Sequence, residues 1–181
     1  MHKTTRKPGW RRTRGLIIAG LLILCVVIGA LAASASPSAA AGKAVLTRNL
    51  TAYMAAWNAH NPARAATYLA KNATFLDMTV GTPVTGRENI KTQVIAYFIN
   101  ANPDCTWTRD TSQTLVGKNK ISYVWTYTGT NTMPWDAKTP ATNKSFKFSG
   151  QTFIQFTNSG KILHEYDYYD ALGFYKQIGW L

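Results

Sequence analysis

After residue 42 the chain has two parts, which differ in the spacing of their hydrophobic residues. Between residues 44 and 59, apolar side chains recur at three- and four-residue steps, which is the spacing of one face of an α-helix. These side chains are Leu46, Leu50, Tyr53, Met54 and Trp57. The pattern predicts an amphipathic first helix, and "NAHNP" ends it because Asn and Pro disfavour a further helical turn.

Two further helices are predicted before residue 104. Pro62 suits the first turn of a second helix, which we expect to close near Asn72. The alternating segment "ATFLDM" then predicts a strand, and "VGTPVTG" predicts a loop. A third helix follows from residue 87, and its apolar residues on one side are Ile90, Val94, Ile95, Phe98 and Ile99.

The hydrophobic period changes from 3.6 to 2 after Asp104, which indicates strands. Long strands are predicted at residues 105–116, 121–130, 144–156 and 162–170. One face of the second carries Ile121, Tyr123, Trp125 and Tyr127. Gly150 predicts a bend or bulge in the third strand, and the loop after the second strand is expected to expose Trp135. Early helices followed by a bent antiparallel sheet predict an α+β fold, with a hollow that the helices line.

The first 42 residues differ from the rest in composition. A basic head without acids precedes an apolar segment, residues 16–33, and the small residues of "SASPSAAAG" follow. This order is typical of a secretory signal. As a helix, however, the apolar segment would reach about 27 Å, enough to cross a membrane. A cleaved signal and an uncleaved anchor both fit, and both place the domain from residue 43 to residue 181 outside the cytoplasm.

Charge and residue counts narrow the function of that domain. The chain has a net charge of +12, but six of its 20 Lys and Arg residues and none of its 8 acids precede residue 35. The other 14 bases are scattered, so no nucleic-acid partner is predicted. His60 and His164 are the only histidines after residue 35, and Cys105 is the only cysteine. Neither a metal site nor an internal disulfide is therefore expected.

Several phrases of the sequence resemble a known family. They are "YMAAWNAHNPARAATYLAKNATFLD", "GRENIKTQVIAYFINANPD", "KSFKFSGQTFIQFTNSGKI" and "EYDYYDALGFYKQIG". Together they resemble the SnoaL-like polyketide cyclase branch of the nuclear transport factor 2-like (NTF2-like) superfamily. The resemblance implies a cone-shaped fold around an apolar pocket, often paired into a homodimer through the outer face of the sheet. It also implies an intramolecular aldol closure by a pocket aspartate without metal or cofactor, and it assigns that role to Asp170 or to Asp167.

The segment "HEYDYYD", residues 164–170, leaves the orientation of those acids open. In a strand, His164, Tyr166, Tyr168 and Asp170 share one face, and Glu165, Asp167 and Tyr169 share the other. If the first face lines the hollow, Asp170 lies at its rim beside two phenols and an imidazole. If the second face lines it, Glu165 and Asp167 form a carboxylate pair about 7 Å apart, which raises the pKa of one of them. In a third interpretation, the acids pair with lysines of the neighbouring strand.

Aromatic residues near the predicted hollow supply the candidate ligand-binding side chains. They are Tyr53, Trp57, Phe98, Trp125, Tyr166 and Tyr168. Asp77, which precedes the "TVGTP" loop, is a further candidate, with turn capping as the alternative. His164 joins Asp170 and Asp167 as a catalytic candidate, with a surface position as the alternative.

Three functional hypotheses follow. The domain binds a small, largely apolar molecule in its cone. Alternatively, it is a cyclase or isomerase that uses a pocket aspartate, without a cofactor. In the third hypothesis it is an interaction module of the cell envelope that pairs through its sheet, with membrane contact through residues 16–33 if these are not cleaved.

Overall fold

A computed structural model describes residues 40–181 of the protein. The predicted apolar segment, residues 16–33, lies outside the described residues. Within residues 40–181, no helix has both the length and the apolar composition needed to cross a membrane.

The described chain contains helices at both ends of a long series of strands. The helices are α1 (Lys43–Asn58), α2 (Pro62–Ala66), α3 (Arg87–Ile90), α4 (Ala96–Ala101) and α5 (Ala171–Ile178), and a π turn, Lys91–Ile95, joins α3 to α4. The strands are β1 (Leu69–Asp77), β2 (Val84–Thr85), β3 (Thr106–Val116), β4 (Lys120–Thr130), β5 (Ser145–Phe156) and β6 (Ile162–Tyr169). This content confirms the predicted α+β class.

Helix α1 packs its predicted apolar face into the core. Leu46, Leu50 and Tyr53 are fully buried there, and Trp57 is nearly so. On β4, the alternation of buried and half-buried residues from Ile121 to Tyr127 matches the predicted inward face.

The second helix is shorter than the sequence predicts. Helix α2 ends at Ala66, and β1 already begins at Leu69. Leu69 pairs with Ile162 of β6, so that sheet hydrogen bonding replaces the further helical turn that the local sequence would allow. The predicted loop before α3 also contains the short strand β2, which pairs with β1.

All six strands form one mixed sheet. Their order is β2-β1-β6-β5-β4-β3. Strand β6 runs parallel to β1 and antiparallel to β5, so the carboxyl ends of β1 and β6 lie at the same edge. Consequently Asp77 of β1 is the direct neighbour of Asp167 of β6.

Gly150 does not mark the predicted bulge. The register continues unbroken through it, from Trp125 on β4 to Gly150 and on to Tyr169 on β6. A methyl group added there would collide with the Trp125 indole and would lie 2.6 Å from the carbonyl oxygen of Tyr168. The glycine therefore provides space for an indole ring that lies across the strand.

The expected exposure of Trp135 is also wrong. Its side chain is 6% exposed, and it packs against Tyr97 and Phe98 with ring centroids 5.2 and 5.3 Å apart. Asn131 stabilises this loop, since its buried amide donates to the carbonyl oxygens of Ala101 and Met133.

Candidate functional site

The orientation of β6 decides which of the predicted residues meet. Glu165 is 1% exposed in the core, while Asp167 and Tyr169 line a cavity on the concave face of the sheet. The second of the two predicted orientations is therefore the one in the structure. His164, Tyr166 and Tyr168 lie on the opposite face.

Four strands place one polar residue each in a row across the concave face. Tyr123 of β4 pairs with Thr152 of β5, Thr152 pairs with Asp167 of β6, and Asp167 pairs with Asp77 of β1. We call these four residues the polar row. Each is adjacent to the next because the three ladders are in register there.

Asp167 is held by a short chain of hydrogen bonds. Trp125 Nε1 donates to Thr152 Oγ1 at 2.7 Å, and Thr152 Oγ1 donates to Asp167 Oδ1 at 2.5 Å. Burial raises the pKa of Asp167 to about 7; the Thr152 hydrogen bond opposes this rise, and the neighbouring Asp77 carboxylate adds to it. Near neutral pH, Asp167 can therefore both accept and donate a proton.

Asp77 is tied to the end of the sheet. Its Oδ2 accepts a hydrogen bond from the Tyr169 hydroxyl at 2.8 Å, and its Oδ1 accepts from the amide and hydroxyl of Thr79. Burial is the main cause that raises the pKa of Tyr169 well above its ordinary value, so this phenol stays protonated. The predicted turn-capping role and the predicted place in the pocket are both present at Asp77.

Glu165 lies deeper than Asp167 on the same face of β6. Its Oε2 accepts from the Tyr53 hydroxyl at 3.0 Å, and its buried Oε1 has no hydrogen-bond partner. Burial first, and then the Asp167 carboxylate, raise the pKa of Glu165 well above its ordinary value. Glu165 is thus a core residue rather than a group that lines either chamber.

Two adjoining cavities occupy the hollow of the cone. The inner chamber has a volume of about 50 Å³, and its walls include Trp57, Phe98, Trp125 and Asp167. The outer chamber measures about 210 Å³, and Trp135, Phe174 and Trp180 are among its walls. Residues shared by both chambers are Phe75, Asp77, Val94, Phe98 and Tyr169.

Aromatic rings form most of the inner wall. Trp57, Trp107 and Trp125 follow one another with ring centroids 5.5 and 6.3 Å apart, and Phe148 lies 5.8 Å beyond Trp125. From the helical side, the π turn and α4 contribute Val94 and Phe98. The predicted ligand contacts Trp57, Asp77, Phe98 and Trp125 all line this chamber.

Other predicted site residues lie elsewhere. Tyr53 is buried beneath the chamber against Glu165. Asp170 lies at the exposed start of α5, where its carboxylate caps the helix by accepting from Gly173 N at 2.9 Å. The chain leaves the strand at this residue, so the alternation that held through Tyr169 no longer applies.

The remaining predicted site residues lie on the outer face of the sheet; they are His164, Tyr166 and Tyr168. Thr74 Oγ1 and His164 Nδ1 are hydrogen bonded at 2.7 Å. Tyr166 packs beside Phe153, with ring centroids 6.1 Å apart, and Tyr168 is 48% exposed. The structure thus corrects the expectation that these three residues, with Asp170, surround a ligand.

Sequence reasoning did not single out Tyr169, which lines both chambers, or Thr152, which holds Asp167 by a hydrogen bond. Thr152 carries no local signal, since its importance depends on the residues opposite it on β4 and β6. The β5–β6 hairpin was readable, but the register shifts between Gln155 and Phe156. Counting inward from the Phe156–Ile162 pair without this shift sets Thr152 against Tyr166 instead of Asp167.

The described residues do not bring three or more His, Cys, Asp or Glu side chains into an arrangement that could hold a metal ion. Cys105 is buried, and burial raises the pKa of its thiol, as expected of an unreactive core cysteine.

The fold and chambers define an NTF2-like cone with an aromatic pocket and a carboxylate in its wall. The chain belongs to the SnoaL-like polyketide cyclase family, whose model matches residues 47–178, and this confirms the resemblance seen in the sequence. No curated protein matches the chain in sequence.

Solved structures share the fold at low identity. TsrD from Streptomyces laurentii is 20% identical with a TM-score of 0.66, and the match covers 78% of this chain and 99% of that one. AclR from Streptomyces galilaeus is 14% identical with a TM-score of 0.65, over 77% and 99% of the two chains. A ketosteroid isomerase-like protein from Catenulispora acidiphila, solved in complex with trimethylamine, is 23% identical with a TM-score of 0.60, over 72% and 92%.

Proposed function

We propose that the protein binds a small, largely apolar molecule in its two chambers and transfers a proton on it through Asp167. The observation that carries this proposal is the position of Asp167, a carboxylate with a pKa of about 7 in an aromatic wall. A general acid or base works best when its pKa lies near the working pH.

The chemistry needs only groups of this chain. The ionised Asp167 removes a proton from a carbon next to a carbonyl, which leaves an enolate and a neutral carboxylic acid. The enolate then takes the proton back at another carbon, which is an isomerisation. Alternatively, it attacks a second carbonyl of the same molecule, and the resulting alkoxide takes the proton from Asp167, which completes an aldol closure. Thr152 holds Asp167 Oδ1 throughout, so the second oxygen of Asp167 is the one available for the proton.

Deuterium exchange tests this proposal without knowledge of the natural substrate. The probe is 2-tetralone, a small apolar ketone that enolises, and NMR in deuterated buffer follows loss of its α protons. We expect the wild type to accelerate exchange and Asp167→Asn to slow it by at least about 100-fold, as for loss of a general base. Asp170→Asn is the matched control, since it changes an exposed helix cap on the same segment. Equal rates in wild type and Asp167→Asn would refute proton transfer.

Binding without turnover is the second candidate, and the size of the inner chamber favours it. A single water molecule needs roughly 10–15 Å³ of cavity volume. The inner chamber, of about 50 Å³, therefore holds only a few heavy atoms beside Asp167. A large ring system would stay in the outer chamber, away from the carboxylate. Tight binding of 2-tetralone with no exchange above buffer would select this candidate.

We also propose that the domain works outside the cytoplasm, exported or anchored by residues 16–33. Support comes from the basic residues that precede an uncharged apolar segment. Protease is added to intact cells from which any outer membrane or cell wall has been removed, and an anchored domain should be degraded. A secreted domain should instead appear in the medium. A protected domain that fractionates with cytoplasmic markers would contradict export.

A further inference from the structure

We propose that the inner chamber binds the cationic head of a small organic amine, with its alkyl groups against the aromatic rings and its charge beside Asp77 and Asp167. This inference rests on the proposed function in one respect, that the chambers are the ligand site. It does not require that the ligand be turned over.

The charged residues that line the two chambers are both acidic. Asp77 lines both chambers and Asp167 lines the inner one, whereas no Lys, Arg or His among residues 40–181 lines either chamber. An anionic ligand would face two carboxylates without a counter-ion. A cation would face carboxylates in a site walled by aromatic rings, whose low dielectric strengthens the attraction.

The polar groups of the inner wall are mainly acceptors. Tyr169 already donates its hydroxyl proton to Asp77. Trp57 Nε1 and Tyr127 Oη are buried and so cannot reach a ligand in the chamber. The two carboxylate acceptors suit a ligand that brings its own N–H groups or a positive charge.

The aromatic walls suit the same ligand. An organic cation is attracted to ring faces within about 6 Å, and quaternary ammonium groups are bound in cages of aromatic side chains. Six of the inner lining residues are aromatic rings of the helices and of β3, β4 and β5: Trp57, Phe98, Trp107, Trp125, Tyr127 and Phe148. A neutral hydrocarbon would also fit these rings, but it would remove water from two carboxylates and give nothing in exchange.

The chamber volumes match a branched head on a longer body. The inner chamber, of about 50 Å³, admits only a compact group of a few heavy atoms, such as the methyl groups of an ammonium head. The outer chamber, of about 210 Å³, has room for the rest of the molecule.

Affinity for a cation should rise with pH, because Asp167 adds to the attraction of Asp77 only when it is ionised. The titratable groups that face Asp167 are Asp77 on β1, Tyr123 on β4 and Glu165 and Tyr169 on β6, while Arg109 lies beyond Tyr123 on β3. Neither β5 nor the helices place a charged side chain in the inner lining. With a pKa of about 7 for Asp167, the ionised fraction rises about tenfold between pH 6 and pH 8, and the affinity with it.

The test compares choline with its neutral isostere, 3,3-dimethylbutan-1-ol, by calorimetry on the full chain. We expect choline to bind at least about tenfold more tightly at pH 8, and this preference to shrink towards pH 6. Asp167→Asn and Asp77→Asn should each reduce the preference, and Asp170→Asn should leave it unchanged. If an Asn variant fails to fold, the pH series on the wild type still decides.

Equal affinity for both compounds, tighter binding of the alcohol, or no choline binding at all would overturn the amine proposal. The 2-tetralone exchange assay on the same preparation keeps the two proposals separate. Exchange without a choline preference removes the amine proposal alone. A choline preference without exchange removes proton transfer alone.

Discussion

Thr152 stands opposite Asp167 in the β5–β6 ladder and donates its hydroxyl proton to one carboxylate oxygen of that residue. The direction of this bond is fixed, because the Trp125 indole donates to the same hydroxyl from the other side. A hydroxyl that accepts from an indole must use its single proton elsewhere, and Asp167 is where it goes. The fold thereby engages one oxygen of Asp167 and leaves the other to a ligand.

Replacing Thr152 by Val should raise the pKa of Asp167 above about 7. The hydrogen bond from Thr152 favours the ionised carboxylate, and valine keeps the shape but cannot donate. Carboxyl carbon NMR over a pH titration measures the change. Thr126→Val, which removes an exposed hydroxyl on the neighbouring strand, is the control. A pKa that stays the same or falls in Thr152→Val would show that the bond does not stabilise the anion.

Asp167 should make the domain less stable as pH rises from about 4 to about 7. Its pKa is near 3.8 when unfolded and about 7 when folded, so the folded state binds more protons in this window. The free energy of unfolding then falls by up to about 1.4 kcal/mol per pH unit, and by less where water in the chamber screens the charge. Above about pH 7 the loss of stability that Asp167 causes does not increase further.

Urea unfolding of wild type and Asp167→Asn over this pH range measures that contribution together with the effect of the Asp167 charge on Glu165, which acts in the same direction. The lowered pKa values of Asp104 and Asp110 make the folded domain more stable as pH rises at acid pH, which is the opposite effect. Both residues are present in wild type and in Asp167→Asn, so their effect cancels when the two free energies of unfolding are subtracted. The stability of Asp167→Asn relative to wild type should therefore increase with pH. A difference that is flat between pH 4 and 7 would exclude a raised pKa at Asp167.

Gly150→Ala should destabilise the domain by about 1–3 kcal/mol, the usual range for overpacking. The new methyl group would collide with the Trp125 ring and crowd the backbone of β6. Displacement of the ring should also alter tryptophan fluorescence. Gly117→Ala is a suitable control, since its methyl group meets the nearest atom at 3.6 Å, an ordinary contact. If both variants unfold at the same urea concentration, the strand at Gly150 is not constrained by Trp125.

Asp170→Ala should lower stability by about 1 kcal/mol and leave the chamber unaffected. Asp170 caps α5 through Gly173 N, and loss of such a cap costs about 0.5–2 kcal/mol. Asn can make the same cap, so Asp170→Asn should remain close to wild type. Loss of ligand binding in Asp170→Asn, with stability retained, would restore the role that the sequence first assigned to this residue.

The sequence predicted those parts of the fold that depend on local repetition. The helical spacing of Leu46, Leu50 and Tyr53 and the alternation along β4 both survive in the structure, because each element buries a continuous face. The same reasoning could not select the inner face of β6, where aromatic and acidic residues occur on both sides. Pairing with β1 and β5 makes that selection, and those partners lie far away in the sequence.

Contacts between distant segments explain the remaining errors. Trp135 lies in a loop without regular structure, yet Tyr97, Phe98 and Phe174 surround it. Thr152 becomes part of the site only through the register shift near Gln155, which moves it opposite an acid. Single-segment patterns contain neither kind of information.

The polar row takes one residue from each of four strands, whereas the outer chamber is closed by the chain's tail and by the loop that carries Trp135. Under the proposed function, the residues for proton transfer and the residues that select the ligand therefore lie in separate stretches of the polypeptide. Substitutions at Trp180 or in that loop can change which molecules enter while the hydrogen bonds that prepare Asp167 stay as they are. Such a division lets one scaffold acquire new ligands in evolution without rebuilding its reactive centre.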